Sequence, residues 1–282
     1  MAMILVTGAT GTIGSNVVRI LADRDVPYRA MSRTPGNLPN GVQADYTDPD
    51  SLATAVAGVH AVFLVTVPER PTPDHDEALL AAAAAAGVST IVRLSAIGSG
   101  EQFEGATVGA WHRAAEQAVE DSGMAWTILR PTSFASNFLW YLPLIHQGDP
   151  IPDLLGEARQ GVITPGDVAE VAVAALTDDT HHGQHYDLTG PELLTFAEQA
   201  AIIERVTGRP VKTFAQELSA AREQLKAGMT EQAADAMLTG VGWARAGGAS
   251  RLSPHVARIL NRPPTSFEQW VRDHSAAFEA VG

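Results

Sequence analysis

Ser95, in the stretch "TIVRLSA", and His112, in "VGAWHRAAE", are the side chains best suited to proton chemistry. A hydroxyl and an imidazole can hold or move protons, and histidine does so near neutral pH. Far upstream, "TGATGTIGS" places Gly8, Gly11 and Gly14 directly after the apolar run "MILVT" and before "TIGSNVVRILAD", whose apolar residues Ile13, Val17, Ile20 and Leu21 recur at helical spacing. Glycines between a strand and a helix let the backbone approach a pyrophosphate. Gly8 turns the chain, Gly11 allows contact, and Gly14 lets the helix pack on its strand. The helix start adds amides and the positive end of a dipole. Thr10, Thr12 and Ile13 belong to the same cradle. No P-loop lysine follows, which argues against nucleotide hydrolysis.

After the next strand, "YRAMSRTP" puts Ser32 and Arg33 where an NAD site commonly carries an acid. A guanidinium suits a 2′-phosphate, so NADP(H) is favoured and NAD(H) is the second choice. Asp45 is placed to meet the adenine amino group, with Tyr46 beside it. Val65, Thr66 and Val67, at the end of a later strand, are expected beneath the cofactor ribose. Pro131 and Ser133 follow the sixth strand and complete the expected cofactor contacts. No metal and no tightly bound flavin are expected. The histidines of "HHGQH" (His181, His182, His185) lie in a glycine-containing loop without a carboxylate motif, and Ser95 lacks the GxSxG elbow of a hydrolase.

The elements that must position these residues alternate. Strands are predicted at 3–7, 28–32, 42–45, 61–67, 90–96 and 125–131. Helices are predicted at 12–23, 48–58, 74–87 and 108–121, the second with Asp48 as N-cap, Pro49 at N1 and Gly58 as stop. Such alternation predicts right-handed βαβ crossovers and an α/β, Rossmann-like, doubly wound parallel sheet. The six alanines at 81–86 read as a small face packing close to the sheet. Beyond Pro131 the pattern changes to an aromatic cluster at 134–145, helices at 164–176 and 196–208, a strand and turn at 184–192, and a mostly helical tail. The expected organisation is a dinucleotide-binding domain at 1–132 and a smaller, mostly helical substrate-binding part at 133–282, with some segments returning to the sheet. Phe134, Phe138, Trp140 and Tyr141 either wall a flat pocket or form the packed face of a core helix. Ile97 and Trp111 are the other substrate-side candidates.

The chain has 282 residues with a formal net charge of −13, 45% hydrophobic residues and no cysteine. The negative balance argues against nucleic-acid binding. Without cysteine, disulfides, thiol nucleophiles and Cys-ligated zinc are excluded. No apolar run has the length of a membrane span, and "MAMILVTGATG" reads as a first strand with no basic segment before it. A cytoplasmic protein is expected, monomeric or homodimeric.

The segments "VTGATGTIGSNVVRIL", "SRTP", "GVQADYTDPDSLATAVAGVHAVFLVT", "AAAAAGVSTIVRLSAIG", "HRAAEQAVEDSGMAWTILRP" and "YDLTGPELLTFAEQAAII" together resemble the NmrA-like group of atypical short-chain dehydrogenases/reductases. The resemblance implies an NAD(P)H-binding protein, either a reductase of quinones, azo dyes or triphenylmethane dyes, or a redox sensor that binds the dinucleotide without turnover. Some similar actinobacterial proteins serve aromatic-polyketide pathways. Members with carbonyl chemistry keep Ser, Tyr and Lys, the last two as Tyr-x-x-x-Lys. Ser95 matches the serine, but Val108 falls on the Tyr position and His112 on the Lys position. The usual proton donor is therefore missing. Hydride transfer to a quinone-like or polycyclic aromatic acceptor remains feasible, because such acceptors need no strong acid. Flavin-free oxygenation of a reduced aromatic polyketide is an alternative, and a non-catalytic sensor is another.

Three roles stay open for His112: a donor to the nicotinamide ribose, a general acid or base, or a solvated helix residue. On a helix spanning 108–121, residues 108, 112 and 116 would share a face. A His112–Glu116 pair would raise the imidazole pKa.

Overall fold

The structure is a computed structural model and describes residues 2–279. The first half runs β1 (Ile4–Val6), α1 (Gly14–Asp23), β2 (Tyr28–Ser32), β3 (Gly41–Gln43), α2 (Pro49–Val56), β4 (Ala61–Leu64), α3 (Asp74–Ala85) and β5 (Thr90–Leu94). A short hairpin, β6 (Gln102–Phe103) and β7 (Ala106–Thr107), precedes α4 (Ala110–Glu120) and β8 (Ala125–Pro131). Then come α5 (Leu142–Gln147), β9 (Ile151–Asp153), α6 (Pro165–Thr177), β10 (Gln184–Leu188), α7 (Phe196–Thr207) and β11 (Thr213–Ala215). The tail holds α8 (Leu218–Leu225), α9 (Glu231–Arg245), α10 (His255–Leu260), α11 (Phe267–Asp273) and α12 (Ser275–Phe278).

Seven strands form one sheet in the order β10-β8-β5-β4-β1-β2-β3. From β8 to β3 each neighbouring pair is parallel; Ile4, for example, sits opposite both Tyr28 and Ala61. This is the doubly wound arrangement, and its strand order reverses between β1 and β4, where such sheets bind ligands. The chain divides into two compact units. One takes the chain up to Ser99, Ala110–Pro131 and Val168–Asp187; the other takes Gly100–Gly109, Thr132–Asp167 and the chain from Leu188 onward.

In the first unit, one face of the sheet contributes Leu5, Val62, Leu64, Ile91 and Ile128 to a core completed by Leu52, Leu79, Leu80, Ala83 and Val119 of α2, α3 and α4. The expected caps of α2 are present: Asp48 accepts from the amides of Asp50 and Ser51, and Pro49 opens the helix. The six alanines do not form the sheet-facing stripe. Only Ala83 among them is buried, while Leu79, Leu80 and Asp76 fill the inner face of α3. Residues 65–67 and 95–96 leave the expected strands, which end at Leu64 and Leu94. The helix expected from 108 begins only at Ala110. Gly109 has φ +54, and Val108 is held in the preceding hairpin, its amide on the Glu101 carbonyl at 2.8 Å and its carbonyl on the Gly100 amide at 2.9 Å. Val108 therefore does not share a helix face with His112.

The second unit has its own core, in which Phe138, Ile151, Ile203, Phe267, Trp270 and Phe278 are buried together. Beside that core, β9 and β11 pair in parallel, a two-stranded sheet absent from the sequence-based expectation. Asp167 carries an ion pair with Arg262 at 2.8 Å and accepts from the Thr265 amide at 2.8 Å, which ties down the proline-rich turn before α11.

Candidate functional site

The glycine loop is built as an anion cradle. Gly8 has φ +57, open to glycine at little cost, and a Cβ on Gly14 would stand 2.1 Å from the Gly8 carbonyl oxygen. The Gly11 amide donates to that same carbonyl at 2.9 Å. α1 starts without a capping side chain, since Ile13 occupies the N-cap, and its first turn holds no acid. By contrast α7 has a full capping box made by Thr195 and Glu198. Among the described residues, the amides of Thr12 and Ile13 meet no protein acceptor. An uncapped helix start with free amides fits a pyrophosphate. Thr10 and Thr12 are exposed beside it, and Ile13 packs inward at 4% exposure.

The loop is moored to the sheet switch point through Thr7, whose hydroxyl donates to the Phe63 carbonyl at 3.0 Å and accepts from the Val65 amide at 2.8 Å. Tyr46 donates to the Val65 carbonyl at 2.7 Å and stacks on His75 with centroids 5.1 Å apart. Burial pushes its hydroxyl above the ordinary tyrosine range. Tyr46 thus supports the strand end from below. Thr66 is buried, and Val67 is 89% exposed, an apolar side chain presented to solvent. Arg33 is exposed and forms no ion pair among the described residues. The Ser32 hydroxyl accepts from the Thr34 amide at 3.2 Å. Asp45 holds the amide and hydroxyl of Thr47 with one carboxylate oxygen, at 2.8 and 2.7 Å. Those bonds keep its pKa below the ordinary value.

Ser95 and His112 sit in a different environment. Side chains alternate along a strand, so Ile91, Arg93 and Ser95 share one direction, as do Trp126, Ile128 and Arg130 on β8. Both rows begin apolar and end polar toward the C-terminal edge, where α3 and α4 cover them. Glu116 of α4 is fully buried and is the hub of the cluster. It accepts the Ser95 hydroxyl at 2.5 Å, Arg130 in bidentate fashion at 2.9 and 2.6 Å, and Arg113 at 3.1 Å. Burial pushes the carboxyl up, but the bonds from Arg130, Ser95 and Arg113 prevail and hold its pKa below the ordinary value. Glu116 is therefore a carboxylate, and the Ser95 proton is committed to it. The Ser95 oxygen keeps lone pairs and can accept further hydrogen bonds.

The expected His112–Glu116 pair does not form, because Arg113, Arg130 and Ser95 already occupy the carboxylate. His112 stacks against Trp111 with centroids 3.6 Å apart and faces Arg93, whose Nη1 lies 3.5 Å from Nδ1. Burial, then the Arg93 charge, pushes the imidazole down to about 3, the reverse of the expected direction. The ring is neutral near physiological pH. Arg93 went unnoticed in the sequence, although a lone arginine inside the apolar run "TIVRLSA" requires a buried acid. That acid is Asp76 of α3, 2.8 Å from Nε.

A triad of metal-ligand type does arise in this unit. Ligand atoms of Glu116, Glu120 and His185 lie within 4.8 Å of one another. Arg113 and Arg130 neutralise both carboxylates there, which leaves little for a cation. His181 and His182 turn to Tyr186 and Asp179 instead. Ile97 and Pro131 are joined by the Ile97 amide donating to the Pro131 carbonyl at 3.0 Å.

In the second unit the aromatic cluster divides. Ala135–Tyr141 is a 3₁₀ helix, whose three-residue repeat puts 135, 138 and 141 on one face and 134, 137 and 140 on another. Phe138, at 2% exposure, stacks on Phe196 with centroids 4.8 Å apart and is a core residue, not a pocket wall. Trp140 is 72% exposed, and Phe134 and Tyr141 are half-buried. Ser133 accepts from the Asn137 side chain at 3.3 Å. Among the described residues no helix is long and apolar enough to cross a membrane.

Residues 8–179 match the model of an NAD(P)H-binding family. The chain is 41% identical to the (4-alkanoyl-5-oxo-2,5-dihydrofuran-3-yl)methyl phosphate reductase of Streptomyces griseus subsp. griseus, covering 98% of this chain and 99% of that protein. It is 36% identical to the NAD(P)H azoreductase of Xenophilus azovorans, covering 99% of this chain and 100% of that one. Among solved structures, the NADPH complex of the quinone oxidoreductase QOR2 of Escherichia coli aligns with TM-score 0.83 at 26% identity, over 96% of this chain and 99% of that one.

Proposed function

This chain belongs to the NAD(P)H-binding family, with the NmrA-like fold, and from that premise we propose that it passes hydride to a conjugated, electron-poor acceptor. One observation carries the reading: the β5–α4 cluster offers no acid that titrates near neutrality. His112 is neutral there, and the Ser95 proton belongs to Glu116. An isolated ketone becomes a basic alkoxide on reduction and needs a proton donor in the transition state. A quinone, an azo dye or a polycyclic aromatic ketone spreads the added charge itself. So does an acyl-furanone, whose ring alkene is conjugated to two carbonyls and becomes a 1,3-dicarbonyl enolate. The named substrates of the two relatives above fall in this class, which supports the same class for this chain.

Each residue then has a defined task. The amides of the Gly8–Gly14 loop hold the pyrophosphate, and the exposed Arg33 guanidinium selects NADPH through its 2′-phosphate. The carboxylate of Asp45 faces the adenine amino group. Val65, Thr66 and Val67 floor the ribose. The bound nicotinamide supplies the hydride. Ser95 accepts a hydrogen bond from the ligand, and the neutral imidazole of His112 donates one, as an electrophile that polarises without surrendering its proton.

The test is NADPH oxidation with a naphthoquinone, an azo dye, a 3-acyl-furanone and an unconjugated cyclic ketone. Turnover of conjugated acceptors only is expected. Turnover of the simple ketone at a comparable rate contradicts the acid-free reading. Tight NADPH binding without turnover of any acceptor makes the protein a sensor instead. Oxygen uptake coupled to hydroxylated product identifies the oxygenation alternative.

A further inference from the structure

We infer that Arg93 is a positioning residue: its Nη1 donates to Nδ1 of His112 and so places the imidazole proton on Nε2, the atom left to bond a ligand. The inference deepens the reading above, on which it rests for what Nε2 meets.

Arg93 is fully buried in β5 and cannot turn. Nε donates to Asp76 at 2.8 Å, Asp76 accepts the Thr66 hydroxyl at 2.7 Å, and Nη1 donates to the Leu94 carbonyl at 3.2 Å. A guanidinium has donors only. The ring nitrogen 3.5 Å from Nη1 is therefore an acceptor, since a protonated Nδ1 would set two N–H dipoles against each other. A neutral imidazole has one proton, which then lies on Nε2. Trp111 clamps the arrangement from the side: its ring stacks on His112, and the Arg93 Cζ lies 5.8 Å from its centroid. Nη2 of Arg93 is buried with no hydrogen-bond partner, and the π-face of Trp111 is the compensating partner at hand. The charges around the ring are Arg93 from β5 and Glu116 from α4, with Asp76 of α3 behind Arg93. A structural ion pair alone would require only Nε and Asp76. The third direction of the guanidinium goes to the residue that stands on the family's lysine position.

¹⁵N NMR of histidine-labelled protein, free of cofactor and acceptor, tests this without any turnover. His112→Gln identifies the resonances of His112. The expected wild-type pattern is an unprotonated Nδ1 and a protonated Nε2, unchanged from about pH 8 to about pH 5. Arg93→Lys keeps a charge opposite Asp76 but loses the fork that reaches the ring, and is expected to mix the two tautomers. If that variant does not fold, the paired replacement Arg93→Met with Asp76→Leu removes the ion pair without stranding a charge and is expected to mix them likewise. A wild-type proton on Nδ1, or the same single tautomer after Arg93 is replaced, overturns the inference. The expected pattern in a protein that reduces no acceptor would leave Arg93 in this role and refute only the reductase reading.

Discussion

The glycine loop and the β5–α4 cluster lie in the same unit and are built from opposite materials. The loop is backbone. Its polar capacity is turned outward, with an uncapped helix start and two amides without protein acceptors. The cluster is side chains, and its charges are answered internally: Arg93 by Asp76, and Glu116 by Arg130 and Arg113. One region is made to receive an anion from outside. The other pairs its charges among its own side chains and, in the reading proposed above, meets a ligand with a neutral imidazole and a hydroxyl oxygen. In the reaction we propose, that difference separates binding from chemistry: the loop answers the charge of the cofactor, and the acceptor stabilises its own.

The largest effect is expected from opening the closed cluster. Glu116→Gln leaves Arg130 half-buried beside an amide that cannot balance it, and breaking a buried pair costs about 3–5 kcal/mol. Chemical denaturation should register that loss. The backbone counterpart is Gly14→Ala. Its Cβ would meet the Gly8 carbonyl oxygen at 2.1 Å, so the loop must move; we expect a loss of about 1–3 kcal/mol in stability and NADPH affinity weakened by at least about tenfold in calorimetry. Arg33→Ala sharpens the comparison within the binding end. It should cost NADPH about tenfold in affinity, or about 1.4 kcal/mol, and NADH much less; equal losses would contradict the 2′-phosphate role. The effect that is smallest near neutral pH, and grows only as the solution is acidified, concerns His112. The unfolded imidazole takes its proton near its ordinary value of about 6.5, whereas His112 in the fold does so near 3. The unfolded state then binds more protons between those values, so stability is full above the ordinary value and falls as pH drops toward about 3. His112→Gln should flatten that limb of the stability curve.

The loop and the sheet were legible because both depend on periodicity and on glycine. Strand alternation, the Asp48 cap and the spacing of Gly8, Gly11 and Gly14 are local signals. The cluster depends on partners distant in sequence. Glu116 is one helical turn from His112, and the pair looked natural, yet Arg130, fourteen residues further on by chain count, claims the carboxylate instead. The direction of the His112 pKa shift was lost with it. The alanine run misled for another reason: alanine is compatible with either face of a helix, and Leu79 and Leu80 decided which face turned inward. Phe138 and Trp140 are two residues apart and fall on different faces of any helix; the sequence does not say which face turns inward, because Phe196 and Phe267, the partners that bury Phe138, lie far along the chain.

In the function we propose, hydride leaves this site without a near-neutral acid to follow it. The pH dependence of kcat/KM with NADPH and a naphthoquinone tests it most directly. A flat profile is expected from about pH 5.5 to about pH 8, equally flat in His112→Gln. A limb with a pKa near the ordinary histidine value that disappears in His112→Gln would make His112 the acid and contradict it.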